Sequence, residues 1–325
     1  MKVAIHRRYG PPEVLRIEEV PIPSVGRRDV RVRVHASTVT SGDARLRAAR
    51  APAIFALPIR LAFGLRGPRQ PIPGMEFAGE VEAVGADVTR FRPGQAVFGI
   101  ATRGANAEYL AIRDDAAIVP MPPGLTHAEA AAVPFGALAA LVFLRDVARL
   151  LPGERVLVVG AAGGVGVFAV QLAKHLGAHV TALCSAENAA LVRDLGADAV
   201  IDRRAGPAGA TAGGFDVLFD AVGATRFAEW RPALAPRGRH LFVSFGLGAM
   251  VQMVLTSVGR GPRVLCGFAA NDPAKLADIA GMLAAGVLRP VIGARYRLDD
   301  IVEAHRHVDS GRKRGSAVIC LIDRC

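Results

Sequence analysis

The run Val156-Leu157-Val158-Val159-Gly160-Ala161-Ala162-Gly163-Gly164-Val165-Gly166, continued by Phe168-Ala169-Val170-Gln171-Leu172-Ala173, decides the fold. A short apolar, β-branched stretch reads as a buried strand. The glycines read as a tight turn, and the apolar residues after them as a helix. Strand, glycine turn and helix together are the context that a dinucleotide fingerprint requires. Set against G-x-G-x-x-G, Ala161 takes the first place, Gly163 the second and Gly166 the third. A glycine at the second place lets the backbone approach a pyrophosphate, and one at the third lets the helix pack close on the strand. The N–H groups of the helix start then face the phosphates. The alternative is a tight strand-to-helix turn that holds no ligand.

Outward from this motif, strand and helix signals alternate. Arg155–Val159, His179–Leu183, Ala199–Ile201, Asp216–Phe219, Arg239–Val243 and Val264–Cys266 read as strands. Val165–Leu176, Glu187–Leu195 and Lys275–Ala285 read as helices. Such alternation predicts a doubly wound parallel sheet. The first 120 or so residues differ. Val30–His35 alternates apolar and polar at period two, and short runs at Glu80–Gly85 and Ala96–Phe98 lie between Gly/Pro turns. This texture predicts a compact β-rich domain. After Pro290 it returns, with strand-like Ala294–Leu298 and Ala317–Ile322 around a helix at Asp299–Val308. The expected fold is therefore α/β, with a discontinuous β-rich domain (1–122 and 290–325) and a Rossmann domain (123–289).

The length of 325 residues agrees with two domains of about 150. With 51% hydrophobic residues the chain is not disordered. The net charge of +11 leaves nucleic acid, membrane surface and anionic ligand open. The arginines are scattered, with no aromatic-interleaved stripe, so nucleic-acid binding is not expected. The longest apolar stretches, Ala51–Phe63 and Phe245–Val258, are both interrupted. Neither reaches the ~20 clean residues of a membrane span; both are expected to line an apolar cavity. The start at Met1–Arg7 leads into a strand, without a secretion signal. Cys184, Cys266, Cys320 and Cys325 form no C-x-x-C pair. They are expected to be free thiols of a cytoplasmic protein.

The second strand of the sheet, His179–Ser185, has no acid at its end to hold a ribose 2′-hydroxyl. Ser185 and Asn188 can donate hydrogen bonds there, and Arg203 can supply charge. This pattern points to NADPH. Ser185 can equally serve as a helix N-cap.

With these landmarks in place, the chain resembles the medium-chain dehydrogenase/reductase superfamily, in its zinc-free quinone oxidoreductase branch. The likeness rests on Gly10-Pro11-Pro12-Glu13-Val14-Leu15, Val39–Asp43, Pro73-Gly74-Met75-Glu76-Phe77-Ala78-Gly79, Phe91–Phe98, Ala107-Glu108-Tyr109, Ala161–Gly166, Phe219–Gly223, Val243–Gly246 and Gly267-Phe268. The resemblance implies a GroES-like catalytic domain and a Rossmann domain with NADPH in the cleft between them. It places Thr40 and Asp43 at the nicotinamide end as catalytic candidates. Gly164 and Val165 would lie on the pyrophosphate, and Ser185 and Arg203 beside the adenosine ribose or its phosphate. Val222, Phe245, Gly246 and Phe268 would line the nicotinamide arm, with Gly315-Ser316 closing from the C-terminus. It further implies a homodimer through the Rossmann edge strand, expected at Arg239–Val243.

Zinc-dependent relatives have a Cys in the Thr40–Asp43 loop and a His before the Glu of "G-H-E". Here Met75 precedes Glu76, and no cysteine comes before Cys184. A catalytic zinc needs three protein ligands, so no metal is expected. Thr40 also replaces the branch's usual Asn, and Ala139 a nicotinamide-contacting Thr. Without a Lewis acid, the suitable chemistry is hydride transfer to an already activated acceptor, a hydrophobic quinone or an α,β-unsaturated carbonyl. Two readings remain beside it: an NADPH-binding sensor or structural protein with little turnover, and a zinc-free enoyl-thioester or alcohol dehydrogenase-like reductase. The absence of tyrosine between Ala44 and Gly74 speaks against the enoyl-thioester variant.

Overall fold

The computed structural model describes residues 1–50, 60–61, 63–210 and 214–322. It divides into two units, Met1–Phe135 with Asn271–Cys325, and Gly136–Ala270.

The first unit is built on β3 (Asp29–Val39), whose period-two pattern buries Val30, Val32 and Val34 against Phe77, Phe91, Val97 and Ile118. Its antiparallel partners are β4 (Glu76–Val84), β6 (Tyr109–Arg113) and β15 (Ser316–Cys320). Beyond these, β14 (Ile292–Arg297) extends one side of the sheet, and β5 (Ala96–Ile100) and β7 (Ile118–Pro120) the other. Thus the tail does complete the first unit: Ala317 stands opposite Val39. That unit also takes in residues 123–135 and 271–289, which the sequence reading gave to the Rossmann domain. The reason is packing. The Thr126-capped helix His127–Ala131 lies on β3 and β4, and the helix Pro273–Ala284 lies against β7.

One buried cation ties the two ends of the chain together. Arg47, at the end of the helix Ser41–Arg47, is fully buried. Its Nε donates to Gly10 O (3.1 Å) and its Nη2 to Asp309 (2.6 Å). Its Nη1 lies 2.9 Å from His305 Nδ1. Guanidinium has only donors, so Nδ1 must accept and His305 is neutral. Burial indeed pushes His305 down to about 3.

The second unit is a six-stranded parallel sheet in the order β10-β9-β8-β11-β12-β13. The strands are β8 (Arg155–Val159), β9 (His179–Cys184), β10 (Ala199–Asp202), β11 (Phe215–Asp220), β12 (Leu234–Phe242) and β13 (Arg263–Cys266). Counted from β8, this is the doubly wound order 3-2-1-4-5-6. Strand order reverses between β8 and β11, and in such sheets ligands bind at the carboxyl ends of the strands at that point.

Three expectations change. Arg239–Val243 is not an edge: β12 is hydrogen-bonded to β11 on one side and β13 on the other, so β13 is the outer strand. Residues 247–257 form a helix, Leu247–Ser257, with no buried residue, rather than a pocket wall sealed from solvent. Cys184 and Cys266 are free, but Cys320 is disulfide-bonded. Of the other apolar stretch, residues 51–59 and 62 lie outside the described residues, as does Cys325. Among the described residues no helix is long and apolar enough to cross a membrane.

Removing one partner of a buried ion pair typically costs about 3–5 kcal/mol. Arg47→Met is expected to lower the unfolding free energy by about that amount, read as a drop in the urea midpoint. An unchanged midpoint would count against a structural role for the pair.

Candidate active site

In the first unit, β3 ends at Val39 and the chain turns into the helix Ser41–Arg47. Thr40 is the N-cap and Asp43 completes a capping box. The Asp43 carboxylate accepts from the Thr40 N–H (2.8 Å) and hydroxyl (2.7 Å), while Asp43 N donates back to Thr40 Oγ1 (3.0 Å). Thr40 and Asp43 are therefore brought together and buried. The threonine hydroxyl is committed to its neighbour, not free as sequence alone left it. A Cβ on Gly42 would lie 3.2 Å from Thr40 Oγ1 and 3.5 Å from the Met75 sulfur, so Thr40 and Met75 flank one small space.

Two charged residues that the sequence reading gave no role complete this cluster. Glu76, at the start of β4, is buried. It accepts from the Thr38 hydroxyl and from Phe135 N (2.7 Å). Burial pushes its carboxyl up to about 7, against the pull of those donors and of Lys313. Asp43 is pushed up by burial as well, opposed by its bonds to Thr40 and Gly74 and by the Lys313 charge. Lys313, half-buried in the loop before β15, is pushed down by burial and held up by Glu76 and Asp43. The signals were slight. Glu76 is an acid directly before the apolar run Phe77-Ala78-Gly79, and Lys313 is one of only four lysines (with Lys2, Lys174 and Lys275) in an arginine-rich chain. Gly315 follows at φ +55°, where a Cβ would meet Val291 O at 2.1 Å.

In the second unit the glycine turn joins β8 to the helix Gly166–His175. Gly166 has no room for a side chain: a Cβ there would sit 2.1 Å from Gly160 O. Gly163 has more space, its nearest atom, Gly160 O, being 3.3 Å from such a Cβ. Ala161 is buried beneath the turn. The helix starts after Val165 with no side-chain cap; within its first turn Val167 N donates to Gly163 O and Ala169 N to Val165 O, both at 3.0 Å. A Cβ on Gly136 would lie 2.2 Å from Gly164 O, so the turn is packed from behind.

Across the switch point, the buried Asp220 closes β11 by accepting from Val222 N, Gly223 N, Thr225 N and the Thr225 hydroxyl. This holds half-exposed Val222 against Gly160, with 2.8 Å between a Gly160 Cβ and Val222 Cγ1. Phe245 and Phe268 form a second pair, ring centroids 5.1 Å apart, next to Gly246 at the start of the helix Leu247–Ser257. At the end of β9, Ser185 Oγ donates to Glu187 (3.0 Å) and accepts from Asn188 Nδ2 (2.9 Å). Glu187 thus lies nearer this position than the sequence implied. The pairing of Asp202 with Cys184 puts Arg203 at the neighbouring strand end to Ser185.

These residues suit a dinucleotide: a glycine-rich turn, a helix start without a side-chain cap and a basic residue beside the second strand. They do not suit zinc. Thr40 and Met75 supply no thiolate or imidazole, and among the described residues no three His, Cys, Asp or Glu side chains converge. The phenol of Tyr296 is taken by His307 (2.8 Å), in keeping with a packing role.

Comparison with known proteins agrees with both units. An alcohol dehydrogenase GroES-like domain model matches residues 26–147, and a zinc-binding dehydrogenase model matches residues 195–319. A mitochondrial NAD(P)H oxidoreductase of Homo sapiens is 32% identical over 350 residues, covering 97% of this chain and 88% of that protein. A quinone oxidoreductase of Pseudomonas aeruginosa is 35% identical, covering 96% of this chain and 97% of its own. The quinone oxidoreductase from Coxiella burnetii superposes with a TM-score of 0.88 at 26% identity over 99% of both chains.

The raised Glu76 carboxyl makes a pH prediction. A carboxyl whose pKa is higher folded than unfolded stabilises the fold while protonated, and that contribution is lost as pH rises through the folded value. Between the ordinary value of 4.5 and about 7, the loss amounts to about 3 kcal/mol. Glu76→Gln is expected to gain this much on the wild type between pH 5 and 7.5 in urea unfolding. Parallel pH profiles for the two proteins would refute an elevated Glu76.

Proposed function

We propose that this chain, which belongs to the medium-chain dehydrogenase/reductase superfamily and to its quinone oxidoreductase-like branch, is an NADPH-dependent, zinc-independent reductase of quinones or α,β-unsaturated carbonyl compounds. The observation that carries the proposal is the buried Thr40–Asp43 capping box with Glu76 and Lys313 beside it, a set that offers proton-bearing groups but no thiolate or imidazole. The nicotinamide supplies the hydride. An acceptor that is already electron-poor needs no Lewis acid, only a position and a proton for the oxygen that gains charge. In this reading the Thr40 hydroxyl turns its single proton from Asp43 towards that oxygen when the acceptor binds, and Lys313 supplies the nearby positive charge.

Gly163, Gly164, Val165 and Gly166 hold the pyrophosphate. Val222, Phe245, Gly246 and Phe268 hold the nicotinamide arm, and Gly315 shapes the loop that carries Lys313. Arg203 meets the 2′-phosphate, with Ser185 and Asn188 turning their hydrogen bonds from each other and Glu187 towards it. The same reading assigns a homodimer through the outer strand β13, expected as a particle of twice 34.0 kDa in light scattering.

Initial rates at 340 nm with both cofactors against quinones, enones and aldehydes test the proposal. NADPH is expected to be the better donor. Arg203→Ala is expected to raise the KM for NADPH roughly 10- to 100-fold, the worth of a charge-assisted hydrogen bond, and to leave NADH unchanged. A preference of the wild type for NADH would sink the 2′-phosphate assignment, and inhibition by a chelator would sink zinc independence. Cofactor binding without turnover on any acceptor would favour a sensor.

A further inference from the structure

Among the described residues two guanidinium groups are buried, and the fold treats them differently. Arg47 has an acceptor at Nε, Nη1 and Nη2. Arg103 is only 9% exposed, yet one nitrogen alone is engaged: Nη1 donates to Gln70 O at 2.9 Å. Its Nε and Nη2 are buried and have no partner among the described residues. Arginine does not shed its proton in proteins, and a buried donor left unmade is costly. Such a group needs an anion or another acceptor.

The surroundings say where the anion goes. Phe63, Arg69, Gln70, Thr102 and Arg103 line one cavity of about 230 Å³. Among the described residues no carboxylate lines it, and two of the five lining residues are arginines. The Arg103 guanidinium lies 4.8 Å from the centroid of the Phe63 ring. The walls are fixed by Tyr9, whose hydroxyl donates to Gly64 O (2.8 Å), by Arg69 N to Phe63 O (2.7 Å) and by His6 N to Pro71 O (2.9 Å). Whole-ligand pockets run to about 300–1,000 Å³, so this cavity suits one end of a molecule. It also adjoins the Thr40 cluster. Ala101 N and Ala105 N donate to Met75 O and Gly74 O, which locks the Arg103 loop to the start of β4. The charge of Asp43 is felt at Arg103.

We propose that this cavity is an anion subsite for the acceptor, in which Arg103 pairs with a carboxylate carried on an aromatic or quinonoid ring and Phe63 and Arg69 enclose it. Arg103 offers Nε and Nη2 as the two prongs of a bidentate clamp, the geometry that guanidinium shares with carboxylate. The inference rests on the reductase reading above and names the acceptor class for it: anionic, ring-bearing and electron-poor.

The test compares a neutral benzoquinone with the same quinone bearing a carboxylate, at saturating NADPH. The wild type is expected to favour the carboxylated acceptor about 10- to 100-fold in kcat/KM. Arg103→Met is expected to abolish that preference through KM, with the neutral quinone and the KM for NADPH unchanged. Arg103→Lys is expected to keep part of it. Equal kcat/KM for both acceptors in the wild type would overturn the subsite and leave the reductase intact. A change in the KM for NADPH alone would overturn it too, by assigning Arg103 to the cofactor. If neither acceptor is reduced, the functional reading fails and calorimetry with benzoate reads the subsite independently. Binding lost in Arg103→Met supports it, and no binding to the wild type refutes it.

Discussion

The first unit depends on a cation with no access to water. Arg47 joins the carbonyl of Gly10, the helix Ser41–Arg47 and the helix Ile301–Asp309. A guanidinium buried this fully is tolerated only where every donor finds an acceptor. Here the acceptors come from segments far apart in the chain, so the unit cannot close without its tail. The two helices that Arg47 joins both lead to the candidate site. One begins at Thr40 and Asp43; the other ends four residues before Lys313. The ion pair joins the far end of the first helix to the end of the second from which the chain runs on to Lys313. The core of Ala4, Leu15, Ala44, Ile301 and Val308 adds apolar contact on the same side.

The second unit rests on a steric constraint instead. Gly160 at φ +74° turns the chain out of β8, and Gly166 lets the helix pass within contact of Gly160 O. Any side chain at residue 166 would force the helix away from the strand. Asp220 then fixes the neighbouring loop through four donors, a dense arrangement that keeps Val222 on Gly160. From that loop Thr225 reaches His240 of β12, 2.8 Å away, and burial pushes His240 down to about 4, so the imidazole is neutral at physiological pH. A rigid turn and a rigid loop flank the switch point.

What could be read from the sequence follows this division. The strands of the second unit show because parallel strands are buried on both faces and are written as continuous apolar runs. The turn shows because only glycine satisfies it. The outer strand differs from the expectation because strand order within a sheet is not written in the strands themselves: Arg239–Val243 and Val264–Cys266 both read as strands, and only the pairing of β12 with β13 shows which lies outside. Thr40 and Asp43 were legible because a capping box is local, three residues wide. Glu76 and Lys313 were not, since nothing in either neighbourhood announces a partner on the far side of the unit. Arg103 was hidden for the same reason: an arginine in a loop looks solvated until its burial is known.

That last point changes the meaning of the +11 charge. Several arginines stand in exposed ion pairs such as Arg27–Asp87 and Arg113–Asp115, which contribute little. The charges that matter are the few held away from water. Asp43, Glu76 and Lys313 can be neutral as a set only when one carboxyl keeps its proton, and the carboxyl at about 7 is Glu76. Near neutral pH the cluster therefore stands at the edge between zero and one negative charge. An acceptor that gains negative charge on reduction is helped by the first state and opposed by the second. A site of this kind responds to pH through a residue that need not touch the acceptor, because Coulomb interaction in a buried setting acts across several ångströms. Arg103 pulls the other way, adding a fixed positive charge that does not titrate. Between them, a proton-dependent carboxyl and a permanent guanidinium give the site a net attraction for anions that weakens as Glu76 ionises.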